Sequence, residues 1–128
     1  MTQTELEDRL TTFAGRCIRV CEALPAKRLG STQLADQLFR SSTSVAANYA
    51  EATQAESRKD FIHKIKIAEK ELTEAKTWLK IIVAAKRIPA SHMNTLLTEC
   101  DELIRILGAS IATAKQHLGT HVKGTTAV

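Results

Sequence analysis

Helix breakers are scarce: the 128 residues include five Gly and two Pro, and Pro25 and Pro89 separate long uninterrupted stretches. That scarcity points to an all-helical chain. No apolar run approaches the roughly 18 residues of a membrane span, and the polar, partly acidic start "MTQTELEDRL" is unlike a signal peptide. A cytoplasmic protein with no membrane partner is the expectation. Cys17, Cys21 and Cys100 are an odd number without paired spacing, which argues against a disulfide framework and for small core residues. Cys17 and Cys21 share a helix face, but neither has a His nearby to complete a metal site. Aromatic residues are also few, one Trp, one Tyr and three Phe, so stacking platforms for bases are poorly supplied.

Catalytic signatures are missing as well. No Glu-x-x-His occurs, and Asp60 with His63 is a single copy of the related spacing that reads as ordinary helix-start chemistry. Nothing in the sequence places a base beside a nucleophile. The expectation is a protein that is not an enzyme, with no cofactor and no metal. No glycine lies between Ser31 and Ser57, which removes a phosphate-cradling loop there.

What the chain does hold is regular apolar spacing. Leu6, Leu10, Phe13, Cys17, Val20 and Leu24 alternate steps of four and three, one face of a helix. The same alternation runs through Leu34, Leu38, Ser41, Val45, Asn48 and Ala52, then from Phe61 through Ile65, Ala68, Leu72, Ala75 and Leu79 to Ile82. It returns in Leu96, Cys100, Leu103, Leu107, Ile111, Ala114 and Leu118. Ser31, Ser57 and Ser91 are the expected N-caps, Ser57 with Asp60 as a capping box. The spacing predicts helices over about 4–24, 32–55, 58–87 and 91–118, packed as an antiparallel up-down four-helix bundle in one domain spanning about 1–118. Residues 119–128 are expected to be a flexible tail that leaves His117 and His121 solvated at a frayed end.

Charge is unevenly spread. The chain carries a formal +4, while residues 57–88 alone hold nine basic and four acidic side chains. Lys59, His63, Lys66, Lys70, Lys80 and Arg87 fall opposite the apolar face of the third helix, a stripe that could neutralise phosphates. Trp78, Ile81, Ala85 and Ile88 make the end of that helix apolar beyond its core face, as at a protein interface. Self-association is therefore expected.

The stretch "RSSTSVAANYAEA" crowds small and hydroxyl residues onto the second helix, which reads as a tight helix contact. With the hairpin turn near Ser57, residues at one height have numbers summing to about 114, so Arg40 faces Glu74 and Asn48 faces Lys66. An Arg and Glu so placed form a partly buried bidentate pair that fixes register. This stretch, followed by Phe61 and "IAEKELTEAKTWL", resembles the four-helix-bundle proteins encoded in intervening sequences of bacterial large-subunit ribosomal RNA genes. Arg40, Ser44, Val45, Asn48, Ala50 and Glu51 match the family motif, with Glu74 completing it; Ala52 departs from the usual Gly, and Lys70 and Glu71 from the usual Gly-Ser. The resemblance implies a homopentamer. It also implies kinship with the accessory variability determinants of diversity-generating retroelements, basic pentamers that partner a reverse transcriptase and its RNA. The expected function is a non-enzymatic ring whose basic surface associates with RNA or DNA, RNA being favoured. The alternative is a scaffold that recruits a protein such as a reverse transcriptase without touching nucleic acid.

Overall fold

A computed structural model describes residues 1–120 of the chain, with side chains as far as residue 118. It is an antiparallel four-helix bundle of α1 (Gln3–Ala23), α2 (Ser31–Thr53), α3 (Arg58–Ala84) and α4 (Asn94–Thr120). Each helix packs on its chain neighbours, most closely α2 on α3, and α1 meets α4 along the thinnest seam. The apolar series supply a single core: Leu10, Phe13, Leu38, Ile65, Leu72, Leu79, Ile82, Leu103 and Leu107 are fully enclosed. Burying a side chain of this kind stabilises the fold by about 1.5–3 kcal/mol. Cys17 and Cys100 lie in the same core, and burial pushes both thiols up to about 12. Leu118, expected to face inward, is 46% exposed because the core closes at Ala114.

The helix ends differ from the expected ones where backbone conformation, not side-chain chemistry, decides them. Thr2 caps α1 by accepting the Glu5 N–H, and Ser57 caps α3 by accepting the Asp60 N–H. Ser31, by contrast, is already helical and buried; the N-cap of α2 is Gly30 at φ 79°, with no side-chain cap. A positive φ is available to Gly without Cβ strain. The third helix stops at Ala84, short of Pro89, because Lys86 enters the left-handed region at φ 58°. The Arg87 N–H then reaches the Ile82 carbonyl and the Lys86 N–H the Val83 carbonyl, the Schellman arrangement that closes a helix end. Ser91 caps nothing: Ala90–His92 form a 3-10 turn that seats Met93 in the core before α4 begins. His117, expected in a frayed tail, is helical and half-buried, with its Nδ1 3.5 Å from Arg58. His121 and the expected tail beyond Thr120 lie outside the described residues.

Candidate nucleic-acid interface

The small and hydroxyl residues of α2 lie in a helix that packs most closely on α3 and also on α1, where Ser42 comes within reach of Cys17. Ser41 donates to the Gln37 carbonyl, and Ser42 and Thr43 to that of Phe39, so these hydroxyls are satisfied by their own helix and can be packed closely. Val45 is fully buried beside them and Ala52 nearly so. The register is the expected one: the Arg40–Glu74 and Glu51–Lys64 ion pairs have numbers summing to 114 and 115. The geometry at Arg40 is different, however. Its guanidinium forks across two carboxylates, 2.8 Å to Glu71 and a second contact to Glu74, in place of a bidentate grip on Glu74 alone. Glu71 was missed by sequence reasoning, although its place three residues before Glu74 puts it on the same face. Asn48 turns back to the Ser44 carbonyl at 2.9 Å and does not meet Lys66. The expected polar pairing across the hairpin is therefore an intrahelical one.

Lys66 points instead toward α4, where it meets Lys115. The Lys115 amine within hydrogen-bond reach, together with its charge, holds Lys66 below the ordinary lysine pKa. Lys59, His63, Lys66, Lys70 and Lys80 are all exposed along the outside of α3. None of these four lysines has an ion-pair partner among the described residues, whereas Lys64 is paired with Glu51 and Lys76 with Asp101. Lys115 was invisible as a candidate because it lies 49 residues further along the chain and joins the stripe only through the α3–α4 packing.

Arg87 leaves the stripe. It follows the end of α3, is half-buried, and donates from Nη1 to Ser31 Oγ at 3.3 Å, while its Nε is enclosed without a partner. The expected apolar flank also divides. Ile88 is buried in the bundle's own core and Trp78 is half-buried against it, with Nε1 3.5 Å from Glu74. Ile81, 40% exposed, and Ala85 remain on the surface. Phe39, 50% exposed on α2, is an apolar surface residue that sequence reasoning did not single out. Among the described residues no three His, Cys, Asp or Glu side chains converge in a way that could hold a metal ion, and no helix is long and apolar enough to cross a membrane.

Residues 4–109 match the family described as 23S rRNA-intervening sequence protein. A solved structure from Bacteroides thetaiotaomicron VPI-5482, described as a protein with unknown function from the S23 ribosomal protein family, superposes with a TM-score of 0.73 at 31% identity. The match covers 83% of this chain and 97% of that one. No curated protein matches the sequence.

Proposed function

The chain belongs to the 23S rRNA-intervening sequence protein family, and from that premise we propose that it is a non-enzymatic, homopentameric bundle whose basic surface associates with RNA. The observation that carries the reading is the juxtaposition of Lys66 and Lys115 across two helices, beside exposed Lys59 and Lys70. Adjacent ammonium groups repel, and a polyanion between them turns that repulsion into attraction. Several lysines neutralising phosphates together give binding that is steep in salt and indifferent to sequence. Repeating the stripe around a ring multiplies its field. Ile81 and Ala85, with the exposed edge of Trp78, supply apolar surface for the contact between copies.

The test is binding of a labelled RNA as a function of salt, with Lys66→Glu/Lys70→Glu beside the parent. Removing two phosphate contacts lowers the slope of log affinity against log salt by about 1.4–1.8. An unchanged slope contradicts the stripe as the contact surface. Retention of a co-purifying protein by a particle free of nucleic acid favours the scaffold that recruits a partner such as a reverse transcriptase.

A further inference from the structure

Two contacts fix how α1 lies on α2: Cys21 Sγ donates to the Ala35 carbonyl at 3.4 Å, and Cys17 comes within reach of Ser42. Ile18 stands three residues before Cys21, and Phe39 three before Ser42. Residues three apart share a helix flank, so Ile18 and Phe39 lie at one height on flanks that face each other, further out than the core. Phe39 is 50% exposed, and Ile18 is half-buried without belonging to the packed core. Ala46 and Ala50 continue the Phe39 flank along α2. Together they make an apolar groove on the outside of the α1–α2 pair.

The charges at its rim are acidic. Burial raises the Cys21 thiol above its ordinary pKa and the charges of Asp36 and Glu22 add to the shift, which places both carboxylates at one end of the groove. Burial raises Tyr49 likewise and Glu7 adds to it, which places that carboxylate toward the other end. Among the described residues neither Asp36 nor Glu22 is in an ion pair. The neighbouring cations turn elsewhere. Arg40 forks onto Glu71 and Glu74, Arg19 lines the seam between α1 and α4, and Lys27 and Arg28 belong to the connection beyond α1.

The opposite combination stands on α3. Ile81 is 40% exposed, Ala84 and Ala85 beyond it are exposed, and Lys80 and Lys86 bracket them. Neither lysine has an ion-pair partner among the described residues, and Glu74, on the same flank, is held by Arg40. An acid-rimmed apolar groove fits a base-flanked apolar ridge, and this chain carries both, on different sides of the bundle. A contact between two unlike surfaces is heterologous, and it closes into a ring when each copy is turned relative to the last.

We infer that the α1–α2 groove seats the α3 ridge of a second copy of this chain, with Ile18 and Phe39 against Ile81 and Ala85 and the acidic rim against Lys80 and Lys86. The inference rests on the ring reading and names the two surfaces that build it.

The test is the native mass of the parent, Phe39→Glu and Ile81→Glu by light scattering, with helical content checked by circular dichroism. Both positions are exposed, so each variant is expected to keep a folded protomer. Phe39→Glu spoils the groove and spares the ridge; Ile81→Glu does the reverse. Each alone is expected to run as a monomer of 14.1 kDa. An equimolar mixture is expected to form a particle of two chains, because one intact groove and one intact ridge remain between them. A parent that assembles while either variant keeps the parent's mass overturns the pairing and leaves the ring standing. Two monomeric variants that stay monomeric on mixing also overturn it, since like surfaces then meet like. A monomeric parent overturns the ring and the inference together.

Discussion

Arg40 shows how far a single residue can be read before the fold is seen. Its height opposite Glu74 follows from the length of a helical hairpin, and the structure places it there. Its second partner, Glu71, did not follow, because that position stood out as a departure from the family motif and not as an acid on the facing surface. The consequence is energetic. The Arg40 side chain is 49% exposed, so its ion pairs are largely screened, while Glu71 is only 14% exposed and loses most if left alone. Arg40→Ala is expected to cost about 0.5–1 kcal/mol. That lowers the melting temperature by about 2–5 °C. In double-mutant cycles the coupling to Glu71 should exceed the coupling to Glu74. A melting temperature within 1 °C of the parent contradicts a stabilising role for the fork.

The four helices were legible as elements because their apolar positions repeat every three or four residues over many turns, and a tertiary contact rarely overrides so long a signal. Their ends were less so. Lys86 adopts a conformation that a sequence advertises only when Gly occupies it, and Gly30 acts as a cap through backbone freedom where Ser31 offered the more familiar hydroxyl. These two positions give opposite predictions. Lys86→Gly removes the strain of a Cβ at φ 58° and is expected to stabilise the fold by about 0.5–1 kcal/mol. Gly30→Ala meets no neighbouring atom within 4 Å, yet forces a Cβ into φ 79° and is expected to cost about 1–2 kcal/mol. Chemical denaturation of both variants checks the pair, and a change of the same sign in both contradicts the account of the helix ends.

At the scale of the whole molecule, charge is where linear reading and folded reality part. Counted along the chain, the surplus belongs to residues 57–88; folded, Lys66 gains Lys115 from α4, and Arg87 moves from the stripe to the loop end beside Ser31. The apolar flank was likewise half legible: period alone cannot tell Ile88, which folds into the chain's own core, from Ile81, which stays outside. What remains exposed is the surface on which the proposed ring depends. The most direct test is therefore the native mass of protein purified without nuclease, recorded with absorbance at 260 and 280 nm. The account predicts a particle of five chains, about 70 kDa from a 14.1 kDa protomer, carrying material that absorbs more strongly at 260 nm than at 280 nm. A monomer with the absorbance ratio of pure protein contradicts both the ring and its nucleic acid.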